Sequence, residues 1–412
     1  MAQQLASVLE DSTTAFTAPC PPPTSYRKAI RTVRVSAAPI RWTIPNSQSG
    51  SSYSTSGASN SCPSNNSGSS GETVPVFAPL AENGQLMKIA RHMVRNGYTQ
   101  RMVHAFHSTS PAPAPASKSK YKYSGSSDQA LKNWFWELDV DWVLQIQQDP
   151  GLLQRQLQGK SASTLQELVQ RWIRALIVIV ANIKEMVSVF PFPGTPAVIR
   201  FGKASIIEMF AFVDAITPVV KAEKLQAVLD MFIYVSGASY MLTSTVGPHE
   251  AERIFNEIGG SLEREGNKLS DVISSTMDQV RTLVEDDDSW AIEFPRGGGE
   301  VHRNIRFVVD CVFSMRKART SMKNSAPNHN TENLRDLIDD TIDYLEVLLI
   351  KKSELCSDPS LRYLFLLNNS YFVAQASKPW VSSHHETWSG HHQGLQLRPE
   401  CDKYMHSYLD IS

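Results

Sequence analysis

Two carboxylate clusters make this chain's best case for chemistry. Asp339-Asp340-Thr341-Ile342-Asp343 gathers three carboxylates in one short run, and Glu285-Asp286-Asp287-Asp288, with Glu293 beyond it, supplies a second group. Hard oxygen donors of this kind suit Mg²⁺, and two clusters facing each other could hold a diphosphate through bridging metal. The next candidates are His384-His385-Glu386 and His391-His392. Zinc takes its ligands from a fixed frame, commonly at three- or four-residue helical spacing. These residues lie in a Ser-, Gly- and Trp-rich stretch without such a frame, which reads as a surface loop. Gly297-Gly298-Gly299 offers backbone amides to a phosphate, but no Lys-Ser/Thr follows as a phosphate loop requires. It reads as a turn between helices. Serines, histidines and aspartates are plentiful, yet nothing marks a nucleophile elbow.

The element that carries the first cluster decides what it can do. Asn333–Gln375 reads as two helices joined by a punctuated turn. At about 100° per residue, Leu334, Leu337, Ile338, Thr341, Ile342, Leu345, Leu348 and Leu349 share one apolar arc. Asp336, Asp339, Asp340, Asp343 and Glu346 fall on the opposite arc. Ser357-Asp358-Pro359-Ser360 stops one helix and starts the next: Asp358 can accept from free amides, and Pro359 sits where its missing N–H costs nothing. The second helix carries Leu361, Leu364, Phe365, Leu367 and Phe372, so it packs back on the first.

Asp-Asp-x-x-Asp is the pattern by which all-helical prenyl-chain enzymes hold magnesium. Here the three aspartates point away from the apolar arc, whereas an enclosed metal site needs them facing a cavity. The second cluster precedes the first, the reverse of the usual order, and lies in a loop ending in Gly-Gly-Gly. A solvated acidic face accounts for both clusters. No catalytic, cofactor-binding or metal residue is assigned and no cofactor is expected; a Mg-dependent prenyl-chain enzyme using Asp339, Asp340 and Asp343 stands as an alternative.

The rest of the chain reads as helix. Ala81–His107 has helical spacing, with Gly97 closing a first turn. Ser127–Gln147 is dense in Trp134, Phe135, Trp136, Trp142 and Val143, aromatics that read as core. Thr164–Val189 is the strongest periodic segment, widened by Ile177–Val180 and decorated by Arg171, Arg174 and Lys184; it should lie buried between neighbours. Ala204–Ile216, Ala222–Leu242, His249–Leu283 and Val301–Lys317 follow, with Pro218 and Pro248 as stops or first-turn residues. No strand pattern and no repeat of fixed length appears. The fold class is all-α: an elongated rod of stacked antiparallel helix hairpins and bundles behind a disordered N-terminal tail.

Composition bounds the partners. Lys plus Arg (40) balance Asp plus Glu (41), so the whole chain gives no argument for nucleic acid. The five cysteines are scattered without a Cys-x-x-Cys pair, which suits free thiols in a reducing compartment. The longest near-continuous apolar run, Ala175–Ile183, is short of the roughly 20 residues that span a bilayer, and no secretory signal core opens the chain. Residues 1–80 are poor in large aliphatics, and Ser47–Gly71 is almost wholly small and polar, so 1–80 reads as a disordered tail. Its basic bias resembles a transit peptide, against which Glu10 and Asp11 argue; a mobile basic tail is the reading. Residues 81–107 form an N-terminal helical segment, 108–126 a Pro/Ala/Lys linker, and 127–412 the helical rod. Basic clusters occur at Lys88, Arg91, Arg95 and Arg101, at Lys118–Lys122, and at Arg316, Lys317, Arg319 and Lys323. Each cluster could touch anionic lipid, and each reads as a solvated helix end.

Lys352–Gln375, KSELCSDPSLRYLFLLNNSYFVAQ, resembles the signature of the seventy-kilodalton exocyst subunit family (exocyst complex component seven), plant type. Pro295–His302 with Asn304-Ile305-Arg306-Phe307-Val308 resembles that family's glycine-rich loop and following helix. Ile89-Ala90, Met93 and Asn96-Gly97-Tyr98 resemble its first helix, and Pro399–Tyr404 with Ser407-Tyr408-Leu409 the start of its last portion. The resemblance implies a rod of helical bundles within a complex that tethers secretory vesicles to the plasma membrane. It implies other exocyst subunits as partners, with Rho-type GTPases and phosphatidylinositol 4,5-bisphosphate as further ones, and a cytoplasmic, peripherally membrane-associated location. Family members bind the lipid mainly through their final helices, and the chain ends at Ser412 as that portion begins. The expectation is therefore a C-terminally shortened member to which no lipid-binding residue carries over. Ala376–Leu397 departs from the family pattern. A generic helical adaptor unrelated to the exocyst is the remaining alternative.

Overall fold

The computed structural model describes residues 26–35, 84–108, 126–146, 155, 157–189, 194–243, 249–290, 299–325, 331–377 and 399–411. These residues are helical, with no strand among them. In chain order the helices are α1 (Tyr26–Thr32), α2 (Gly84–Arg95), α3 (Tyr98–His107), α4 (Ser126–Glu137), α5 (Val143–Ile146), α6 (Ala162–Val189), α7 (Thr195–Ile216), α8 (Leu225–Thr243), α9 (His249–Glu285), α10 (Arg303–Ser325), α11 (Glu332–Ser353), α12 (Pro359–Ser377) and α13 (Pro399–Ile411). Ser47–Gly71, Lys118–Lys122 and the histidines at 384, 385, 391 and 392 lie outside the described residues.

The helices stack in nearly their chain order. α2 lies on α6, α3 on α4, α6 on α7 and α8, α8 on α9 and α10, α10 on α11, α11 on α12, and α12 on α13. Each hairpin buries its apolar side against the next, which builds a helical rod rather than a closed chamber. A continuous set of buried side chains runs from Ile30 through Trp172 and Phe255 to Ala376. α9, at 37 residues, is about 55 Å long at 1.5 Å per residue and spans several neighbours.

Local chemistry explains the boundaries. Gly97 has φ 67° and starts α3 directly after α2, so the segment 84–107 is a pair of helices joined at that glycine. α7 begins at Thr195, nine residues before the apolar pattern alone would start it, because Pro196 suits a first turn and Val198, Ile199 and Phe201 extend the buried face. α10 runs on to Ser325 since Met315, Ala318 and Met322 continue its buried stripe. α8 is apolar on all sides: Ala222–Thr243 is long and apolar enough to cross a membrane, but its apolar window is 83% buried inside the fold, the setting of a core helix.

Two expectations are corrected. The 1–80 tail is not wholly unstructured: Tyr26–Thr32 forms α1, packed on α2, α4 and α6 with Ile30 fully buried. Seven residues are too few to hold a helix alone; tertiary contacts hold this one. Likewise, the aromatic stretch is not all core. Trp134 and Phe135 are buried, but Trp136 is 49% exposed, because the helix ends at Glu137 and the chain turns through Asp139 at φ 64°.

Candidate functional site

α11 presents its two faces as its periodicity requires. Leu334, Ile338, Thr341, Ile342, Leu345, Leu348 and Leu349 are buried, and Asp336, Asp339, Asp340 and Asp343 are exposed. Asp358 caps α12 by accepting from the amides of Ser360 (2.8 Å) and Leu361 (3.3 Å). The acidic run after α9 is tied down elsewhere. Asp287 accepts from the Ser289 amide at 2.9 Å and from Asn304 Nδ2 at 2.8 Å. Those hydrogen bonds, outweighing a small opposing effect of burial, hold its carboxyl at about 2. Among the described residues no group of three or more His, Cys, Asp or Glu is placed to hold a metal.

What the structure does assemble is a latch between α12 and the loop that opens α10. Asn369, fully buried in α12, donates to Glu300 O at 3.1 Å and to Phe365 O at 2.8 Å, and its Oδ1 accepts from the His302 amide at 2.9 Å. Asn368 donates to Gly299 O at 2.5 Å. Loop backbone that would otherwise bury unpaired polar groups is thereby satisfied by two adjacent side chains. Loop and helix approach closely at Gly299: a Cβ there would lie 2.6 Å from Leu364 Cδ2, so the leucine side chain would have to shift. Below the loop, His302 stacks on Trp290 with ring centroids 3.7 Å apart and planes 8° apart. Trp290 Nε1 donates to Val284 O at 2.8 Å. Lys352 lies 5.6 Å over the Trp290 ring and donates to Glu285 O at 2.7 Å, at the open end of α9. Neighbouring Lys351 pairs with the Glu285 carboxylate.

The latch joins the two stretches, 299–308 and 352–375, that carry the family resemblance. The family model for the C-terminal part of the Exo70 exocyst complex subunit matches residues 198–409, more than half of the chain. The chain belongs to the Exo70 exocyst subunit family. A search of curated proteins finds no match. Exo70 proteins are subunits of a tethering complex rather than a family of enzymes; membership implies the role of an exocyst subunit, other exocyst subunits as partners and a cytoplasmic, plasma-membrane-associated complex as the setting.

The basic clusters of this Exo70-family chain differ in placement. Lys88, Arg91 and Arg95 are exposed on α2, and Arg91 Nε lies 3.4 Å from Glu185. Arg316, Lys317 and Arg319 are half-buried while Lys323 in the last turn of α10 is exposed, so this cluster is solvated only at its end; burial pushes the Arg316 guanidinium down, partly offset by Asp339. Arg171 and Arg174 do not decorate a free surface either. Arg171 pairs with Asp139 at 3.0 Å, and Arg174 Nη1 donates to Val33 O at 3.1 Å beneath α1. The Asp139 cluster left no sign in local periodicity. Its one readable trace is Arg27 and Arg31 spaced one helical turn apart in an otherwise Ser- and Pro-rich region.

Proposed function

We propose that this chain works in exocytosis as a non-enzymatic scaffold: a rod that engages other tethering subunits and supports docking of secretory vesicles at the plasma membrane. The observation that carries this reading is the family match together with the fit of its two motif stretches, locked by Asn368 and Asn369 into one continuous helical body. Such a latch fixes the angle between successive hairpins, which is what a tether that bridges distant partners needs. The acidic faces, Asp339, Asp340 and Asp343 above all, are open to water and suit recognition by basic partner surfaces better than an enclosed reaction. Contact with a Rho-type GTPase and with phosphoinositide-containing membrane belongs to the same family reading, and no residue of this chain is assigned to either.

The test is co-purification of the tagged chain with other exocyst subunits from its own cells. Recovery of several subunits in stoichiometric amounts is expected, and isolation free of all of them overturns the proposal. Sedimentation with liposomes, with and without phosphatidylinositol 4,5-bisphosphate, separates the lipid part: pelleting that ignores the phosphoinositide removes it.

A further inference from the structure

α1 lies on the rod as a separate piece. Between Val35 and Gly84 the chain runs through 48 residues (84 − 35 − 1) rich in Ser, Asn and Gly. α1 is seated on α2, α4 and α6. Ile30, Val33 and Val35 are buried at 0%, 7% and 6% exposure. Arg27 and Arg31 reach the same carboxylate, Asp139, at 3.1 Å and 2.5 Å. Arg27 also donates to Asp141 at 2.8 Å, and its guanidinium lies 4.9 Å over the Trp136 ring.

The seat is built from the rod's own side. Val140 N donates to Phe135 O and Leu138 N to Trp134 O, so the turn after α4 is tied back to that helix. Asp139 O accepts from Arg171 Nε and Nη2 at 3.2 Å and 2.9 Å, and its carboxylate pairs with Arg171 as well. With α1 removed, Asp139 stays aimed by α4 and α6, and it keeps one of its three guanidinium partners. A buried carboxylate in that state favours new cations strongly. The two further arginines come from whichever helix lies in the groove.

We infer that this groove is a docking site for a short amphipathic helix with arginines one turn apart around a buried isoleucine, and that α1 is its intramolecular occupant, displaced when a second polypeptide of that pattern binds. The seven residues of α1 form no stable helix alone. Its hold is local: Ile30, Val33 and Val35 in the groove, Tyr26 against His92 and Tyr98, the ion pairs of Arg27 with Asp139 and Asp141 and of Arg31 with Asp139, and the Arg174 bond to Val33 O, contacts that a second helix of the same pattern can reproduce one for one.

The experiment uses the full-length chain and a fluorescein-labelled peptide of residues 24–36, TSYRKAIRTVRVS. Anisotropy titrations compare the wild type, the double variant Arg27→Glu/Arg31→Glu, and that variant with Asp139→Asn added. Opening the seat by the double variant is expected to tighten peptide binding at least ~10-fold, since the tethered competitor is gone. Adding Asp139→Asn should reverse most of that gain, and 0.5 M salt should weaken binding in the double variant. Should Asp139→Asn lose its native circular dichroism, Asp141→Asn at the rim replaces it, with an expected loss of about threefold for one half-exposed pair. Binding that is equal in the wild type and the double variant, or that ignores Asp139 and Asp141, overturns the proposal. Hydrogen exchange on the wild type supplies a second reading: amides of residues 30–35 should exchange at least ~10-fold faster than those of 177–183. Equal protection would make α1 a permanent part of the core and end the idea.

Discussion

Asn369 and His302, 67 residues apart in the chain, meet in a 2.9 Å hydrogen bond from the His302 amide to the Asn369 side chain. That bond, with the ones Asn369 makes to Glu300 O and Phe365 O, converts a polar residue in the middle of a helix into the fastener of a loop. Removing it takes from the buried His302 amide the acceptor it has in Asn369, a cost larger than that of the bond itself.

Asn369→Ala should therefore destabilise the chain by roughly 2–4 kcal/mol, and Asn368→Ala, with a single bond to Gly299 O, by about 1 kcal/mol. Urea unfolding followed by circular dichroism measures both. Equal effects from the two substitutions would mean that Asn369 does no more than Asn368 to hold the loop.

Gly299→Ala tests the closeness of loop and helix. The new methyl would sit 2.6 Å from Leu364 Cδ2 and 3.0 Å from Cγ, an overlap that costs roughly 1–3 kcal/mol. Leu364→Ala makes room. The double variant should be less destabilised than the sum of the singles by about 1 kcal/mol or more, a coupling that a thermal or urea double-mutant cycle reads directly. Strict additivity would mean that the two groups do not touch.

Acid titration should show two carboxylates working with opposite sign. Burial pushes Asp230 up to about 6, against hydrogen bonds from Gln166 at 2.6 Å and Gln226 at 2.8 Å. The folded chain then binds more protons than the unfolded one between about pH 4 and 6, so this group's contribution to stability falls as pH rises through that window. Asp287, held at about 2, behaves in reverse: its contribution is present above about pH 4 and is lost as pH falls toward 2. Asp230→Asn should flatten the upper slope, on the order of 2–3 kcal/mol, and Asp287→Asn the lower one, at about 1 kcal/mol after solvent screening. Unfolding midpoints measured from pH 3 to 7 decide it; an unchanged upper slope in Asp230→Asn would contradict the assignment.

Asp339, Asp340 and Asp343 should tolerate neutralisation. Their exposed side chains bring the triple Asn variant within about 0.5 kcal/mol of the wild type, whereas Leu345→Ala on the buried face of the same helix should cost about 2–5 kcal/mol. Differential scanning calorimetry compares them. A magnesium-dependent rise in unfolding temperature that the triple variant abolishes would show a metal site that the exposed face does not provide for.

Sequence alone determined α11 and its partner most fully. One apolar arc and one acidic arc at helical period say which side is wet, and Ser357-Asp358-Pro359 says where one helix stops and the next begins. α6 was legible as a buried helix, because Ile177–Val180 widen its apolar face past one stripe, and α8 was legible as a helix. Their neighbours were not legible, since a helix apolar all round names no preferred face. The overrun of α10 and the early start of α7 have the same origin: partly polar turns become helix once the next hairpin covers them.

Tertiary structure alone decided the rest. Asn368 and Asn369 look like surface residues of a helix until the loop at 299–302 lies against them. Arg27, Arg31 and Arg171 look like solvated charges until the turn at Asp139 draws them together. Periodicity records which side of a helix avoids water, a property of neighbours three and four residues away. A hydrogen bond or ion pair across 67 or 108 residues leaves no such trace, because its energy depends on a distance that exists only after the chain has folded.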